Sequence, residues 1–315
     1  MSRGRYYQRG RVTPILVNAA KRKLSVLTQN KSMIEKILVA VAGRGLCEEM
    51  FNMLMDIPSL QRASVTVLHV VPPQVTAEDM AAKLEEGGKI LAQAVQTLKI
   101  DPNKVNPRLR QGDAKTIVCE VAEEEKSDLI VMGSRGLGRL QSILENSVSQ
   151  YVFQLTSRPM LLVKDDTYVK KIKRIMVAID KSEAALECLK LALFLLKEVS
   201  GGQVVLVHVA KDLTGKSNED LTSNAEKDPI LVPAIAEAKK MGVSYRCVTA
   251  SGKPGETICR LADDLSVDLL MLGSPDRRPS IAKNFVDLDR LLGNSLSDYV
   301  RVYAKCPVLL ARTVG

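Results

Sequence analysis

The sequence predicts an α/β protein built from two doubly wound domains in tandem, each with a five-stranded parallel sheet. Three observations carry this reading. The chain repeats itself once, its strands are short unbroken aliphatic runs, and the stretches between them have helical periodicity. Self-similarity appears at separate landmarks. Lys36-Ile-Leu-Val-Ala-Val-Ala42 matches Arg174-Ile-Met-Val-Ala-Ile-Asp180, an offset of 138 residues, and His69 and His208 recur in similar runs 139 apart. Asp128-Leu-Ile-Val-Met-Gly-Ser134 matches Asp268-Leu-Leu-Met-Leu-Gly-Ser274 at 140, while Ser147 with Ser295 and Pro159 with Pro307 lie 148 apart. The drift puts an eight-residue insertion between Ser274 and Ser295. Solenoid repeats run about 20–50 residues, so a period near 140 is a domain duplication.

Taken in order, the first strand (Ile37 to Val41) lacks polar alternation, as expected where helices cover both faces of a parallel sheet. Glu183 to Val199 carries Leu186, Leu189, Leu193 and Leu196 at spacings of three and four, which predicts a strongly apolar helix. Strands and helices then alternate through five strands and four helices per copy, which gives the doubly wound arrangement. The charged stretch Lys164 to Lys173 divides the copies. The expected domains are therefore 33–164 and 174–315, joined by a linker at 165–173 and preceded by an extension at 1–32.

Composition narrows function. There is no Trp, and Tyr and Phe total only 11, so the core must be aliphatic and the aromatic stacking platforms of single-strand nucleic-acid binders are absent. Of 45 basic side chains eight lie in residues 1–32, which hold no acid, leaving 37 against 36 acidic groups for the rest. The net charge of +9 thus belongs almost wholly to the extension. Three readings of that segment stand side by side: a cationic arm for an anionic protein, nucleic acid or membrane surface; an organelle transit segment; and an upstream mis-start before Met33. The longest apolar run, Leu191 to Leu196, is far short of a membrane span, which leads to the expectation of a cytoplasmic protein, organelle-targeted if the extension is a transit segment. The six cysteines show no CxxC spacing and read as buried thiols rather than as metal ligands or disulfides.

In doubly wound sheets ligands sit beyond the carboxyl ends of the strands, where strand order reverses. The fourth strand of the first copy runs into Gly133-Ser-Arg-Gly-Leu-Gly-Arg139, and Asn146-Ser147 opens the next helix. Glycines admit close backbone approach, and a Ser at a helix start adds a hydroxyl to free N–H groups, so these segments form a phosphate cradle in two parts. His69 and His208, in separate copies without a cysteine or acidic cluster in sequence, read as structural spacers. No nucleophile–His–acid set, HxGH, SGGxD or P-loop motif is present.

Here the sequence resembles the universal stress protein family in its tandem form, over about residues 33–315. Its nucleotide-binding members carry Gly-x-x-Gly, nine residues, then Gly and Ser or Thr. Gly133 and Gly136 match, Leu137 to Glu145 supply the nine, Asn146 replaces the final glycine, and Ser147 matches the hydroxyl. The acid that usually ends the first strand is Ala42 here. The second copy reverses this, keeping Asp180 and Asn294-Ser295 but following Gly273 with Ser-Pro-Asp-Arg-Arg-Pro and no second glycine. The resemblance implies an adenine nucleotide alpha hydrolase-like, Rossmann-type fold in each copy and an internal pseudo-dimer through the last strands, with further oligomers open. It implies a non-enzymatic regulatory protein of the stress response, at most slowly hydrolysing, that binds ATP or a related adenine nucleotide with Mg carried by the phosphates. The implied contacts in the first copy are Val41, Ala42, Met132, Gly133, Arg135, Gly136, Asn146, Ser147, Val148 and Ser149. A weaker second site comprises Asp180, Gly273, Asn294 and Ser295. The rival expectation is an adaptor with vestigial nucleotide sites that works through the basic arm.

Overall fold

The interior strands of the sheet begin where a predominantly aliphatic run can be buried on both faces, whereas the two edge strands carry polar residues. In the computed structural model, which describes residues 33–43, 46–134, 147–164, 171–210, 224–274 and 295–312, ten strands form one sheet. The first half supplies β1 (Lys36–Ala40), β2 (Ser64–Val71), β3 (Val105–Gln111), β4 (Leu129–Ser134) and β5 (Met160–Lys164). The second supplies β6 (Arg174–Ala178), β7 (Gln203–Ala210), β8 (Ser244–Ser251), β9 (Leu269–Ser274) and β10 (Val308–Arg312). Their order is β3-β2-β1-β4-β5-β10-β9-β6-β7-β8. All neighbours are parallel except β5 and β10, which pair antiparallel with Leu161 opposite Leu309. The two halves are thus joined as the expected internal pseudo-dimer, and the described residues of both fall in one compact unit. The extension, most of the linker (165–170) and the insertion after Ser274 lie outside the described residues.

Eight helices are described: α1 (Leu46–Met55), α2 (Ala77–Thr97), α3 (Ala114–Glu124), α4 (Val148–Leu155), α5 (Glu183–Leu196), α6 (Val232–Lys240), α7 (Pro254–Asp264) and α8 (Leu296–Tyr303). One face of the sheet, with Val39, Val67 and Val177, packs on α1, α2, α5 and α6 through Leu54, Leu91, Leu193 and Ile235. The other, with Leu38, Ile130 and Leu270, packs on α3, α4, α7 and α8 through Val121, Phe153, Leu261 and Val300. Both cores run without a break across the two halves, each fully buried Leu contributing about 2 kcal/mol. The helix expected over Glu183 to Val199 ends at Leu196. Leu186, assigned to its apolar stripe, is 40% exposed, because it shares the outer face with Glu183, Glu187 and Lys190.

Two repeated side chains explain why the landmarks recur. Asp128 Oδ2 accepts from the backbone N–H of Glu35 and Lys36 (2.8 and 2.9 Å), and Asp268 Oδ2 accepts from those of Lys173 and Arg174 (2.9 and 2.7 Å). In each half, therefore, the carboxylate before the fourth strand ties down the start of the first. At the junction, Lys164 ends β5 and is buried, yet its Nζ donates to the Val302 and Ala304 carbonyls at the end of α8 in the other half. Arg312, ending β10, donates to Phe153 O near the end of α4 and lies 4.1 Å over the Phe153 ring. Each half thus places a cation on the carbonyl-rich terminus of the other half's last helix, where the helix dipole favours positive charge.

Candidate functional site

Strand order reverses between β1 and β4 in the first half and between β6 and β9 in the second, so the carboxyl ends of these four strands mark the candidate sites. In the first half Ala40 pairs with Met132, which brings Val41 and Ala42 beside Gly133. Val41 is buried and tied on both sides: its N–H donates to Leu68 O (2.9 Å) and its carbonyl accepts from His69 Nδ1 (2.9 Å). Ala42 is exposed, and Gly43 takes φ +74°, a left-handed turn away from the strand. Among the described residues a Cβ at Gly133 would meet only Cys47 Sγ, at the ordinary contact distance of 3.4 Å.

Ser147 caps α4, which packs on β4, its Oγ accepting from Gln150 N–H at 3.3 Å. The buried Ser149 hydroxyl lies 3.3 Å from it, and Val148 packs against the core. Gln150 is buried at the third helical position with its side-chain carbonyl oxygen lacking a hydrogen-bond partner. The structure thus gathers Val41, Ala42, Met132, Gly133, Ser147, Val148 and Ser149 at one sheet edge. Arg135, Gly136 and Asn146 lie outside the described residues.

In the second half the same edge carries a cleft of about 660 Å³, within the range of small-molecule sites. Asp180, His208, Lys253, Gly255, Gly273, Ser295 and Tyr299 line it, so three of the four expected residues meet there, and Asn294 lies outside the described residues. Asp180 Oδ1 accepts from the N–H (2.8 Å) and hydroxyl of Ser182, the cap of α5. Gly273 differs from Gly133: a Cβ there would lie 2.2–2.5 Å from the backbone of Ala184 and Ala185. It is required by the approach of α5. At α8, Ser295 Oγ accepts from Asp298 N–H (3.2 Å) and donates to Asp298 Oδ2 (2.6 Å). This carboxylate occupies the place of Gln150, and its Oδ1, buried without a hydrogen bond, is 4.0 Å from the buried Arg301.

The lining residues outside the expected set include His208, Lys253 and Tyr299. His208 was read as a spacer, but its Nδ1 lies 2.6 Å from Asp228 Oδ2. Asp228 also accepts from Ile230 N–H (2.8 Å) and Thr249 Oγ1 (3.4 Å); acting as a carboxylate acceptor, it makes Nδ1 the protonated ring nitrogen. Lys253 precedes α7 and pairs with Glu256 at 3.1 Å. Tyr299 lies on Gly255, where a Cβ would come within 2.6 Å of its ring, and packs against Tyr303 at 4.4 Å. The rule that strand ends bear ligands applies to the third strand too and points to Lys253 from sequence; Asp228, 20 residues beyond His208, has no such signal.

No disulfide joins the six cysteines. Burial, with Glu123 and Glu120 nearby, pushes Cys119 up to about 11, and burial does the same to its counterpart Cys259, with Lys164 pulling the other way. Among the described residues no group of three or more His, Cys, Asp or Glu could hold a metal ion, and no helix is long and apolar enough to cross a membrane.

Comparison with known proteins accords with this arrangement. Universal stress protein YxiE of Bacillus subtilis is 27% identical over 148 residues, covering 42% of this chain and all of that protein. Universal stress protein Sll1654 of Synechocystis is 29% identical over 135 residues, covering 42% and 86%. A crystal structure of a universal stress protein from Archaeoglobus fulgidus covers 88% of this chain and 96% of its own, with a TM-score of 0.67 at 21% identity, a likeness of fold. A model of the Universal stress protein family matches residues 33–164 and again 171–312, and the chain therefore belongs to the universal stress protein family in its tandem form.

Proposed function

We propose that the protein is a regulatory module of the stress response that binds ATP or a related adenine nucleotide at the sheet edge of its first half. The observation that carries this reading is the acid-free start of α4: Ser147 caps the helix, and the neutral Gln150 stands where a carboxylate would repel phosphate. The N–H groups and positive dipole end of such a helix favour an anion, and the bare backbone of Gly133 allows close approach. Val41 and Ala42 would face the nucleoside, Arg135, Gly136 and Asn146 would complete the phosphate grip, and any divalent ion would arrive on the phosphates. The role is one of binding, with hydrolysis at most slow.

Titration calorimetry of the full chain with ATP and AMP tests this. Saturable heat is expected in the wild type and at least a tenfold loss of affinity in a Gly133→Val/Gly136→Val variant that keeps its circular dichroism. No heat at millimolar ATP would overturn the reading.

A further inference from the structure

We propose that the cleft of the second half is a nucleoside site that rejects polyphosphates, so that the two halves read different phosphorylation states of one ligand family. The proposal takes its choice of a nucleoside from the reading given for the first half, but its discrimination rests on the second cleft alone.

Two differences at equivalent positions carry it. The first is the state of the capping hydroxyl. Ser295 spends its proton on Asp298 at 2.6 Å, so toward the cleft it offers only a lone pair, whereas Ser147, among the described residues, meets no carboxylate and has Gln150 in that place. The second is charge. Asp180 and Glu256 line the cleft, Asp228 stands behind His208, and Asp298 stands behind Ser295. Against these four carboxylates Lys253 is paired to Glu256, and Arg301 lies beside Asp298. The first-half positions that match Asp180, Glu256 and Asp298 are Ala42, Thr116 and Gln150, all neutral, while Asp113 stands where the second half has Lys253. A phosphate at the start of α8 would meet repulsion in a partly desolvated setting, where charges act more strongly than in water.

What the cleft does present is hydrogen-bond acceptors: the Asp180 carboxylate and the Ser295 lone pair. A small uncharged molecule rich in donors fits this set. Adenosine, with three hydroxyls and an exocyclic amine, is such a molecule, and Tyr299 adds an aromatic surface to the same wall.

Photolabelling the full chain with an azidoadenosine and an azido-ATP, mapped by peptide mass spectrometry, separates the sites without dissecting the protein. The adenosine probe should label peptides containing 207–209, 253–258 or 295–299, and the ATP probe should leave these at least tenfold less labelled. Asp298→Asn should raise the ATP-to-adenosine labelling ratio of the second cleft at least tenfold, and the reciprocal Gln150→Glu should lower ATP labelling of the first half by a similar factor. Each variant is first matched to wild type by circular dichroism, and either alone suffices if the other fails to fold. Equal labelling of the second cleft by both probes, no labelling by millimolar adenosine probe, or a ratio unmoved by Asp298→Asn would overturn the proposal. Loss of ATP labelling in the first half of the wild type would instead overturn only the nucleotide reading given above.

Discussion

The two halves share a fold, a capping serine and a strand-end Gly-Ser, yet they use these parts differently. In the second half Gly273 is committed to packing, since the first turn of α5 lies against it, and the serine is committed to Asp298. In the first half the glycine, among the described residues, faces only Cys47, and the serine answers to a neutral Gln150. A motif residue is therefore available for a ligand only when its neighbours leave it unoccupied. Duplication has let one copy turn the same residues into framework while the other keeps them open.

The sharpest break of this comparison is at the glycines. Gly273→Ala must displace the start of α5 and should destabilise the protein by about 3 kcal/mol in urea unfolding, whereas Gly133→Ala should change stability by less than about 0.5 kcal/mol. Equal effects would show that the two glycines share one role.

The junction should behave alike from both sides. Lys164→Met and Arg312→Met each leave buried helix-end carbonyls without a charged donor and should each cost about 1–3 kcal/mol. The sharper readout is its crossed pattern: hydrogen exchange should quicken in α8 for the first variant and in α4 for the second. Loosening confined to the half that carries the substitution would refute the cross-capping.

The smallest contrast is expected at the equivalent thiols Cys119 and Cys259. Both are raised from 9.0 to about 11, so near neutral pH their thiolate fraction, and with it the alkylation rate, should be about 100-fold below that of an unperturbed thiol. Because the thiolate is the reactive form, the rate should climb about tenfold per pH unit until pH approaches 11. A plateau near pH 9 at one thiol alone would mark a local opening of that half.

Much of this architecture was legible in the sequence, because a strand buried on both faces must be written as a predominantly aliphatic run and eight such runs fell into two equal sets; the edge strands β3, with Asn106, Pro107 and Arg108, and β8, with Tyr245 and Arg246, carry no such signal. Asp128 and Asp268 were visible as repeated letters before their tie to the first strand was known. Other parts were not legible for physical reasons. Leu186 kept the helical spacing of its neighbours but points outward, since periodicity gives a face only to within one position when nearly the whole helix is apolar. Gly133 and Gly273 are followed by the same serine, and only the approach of α5 separates them. His208 looked like His69, yet one is held by Asp228 and the other by the Val41 carbonyl, a difference made by a residue that sequence proximity does not connect to the histidine.

The antiparallel seam between β5 and β10 has a further consequence for how the protein lives in a crowded cell. All five residues of each seam strand are buried, so a half standing alone would offer a bare apolar edge, a template for pairing with any similar chain. Tethering the partner in cis holds it at an effective concentration on the order of millimolar, whatever the expression level. The pairing is then first-order and insensitive to dilution. It also shuts out strand exchange with any other chain that displays such an edge, so the two halves stay matched to each other.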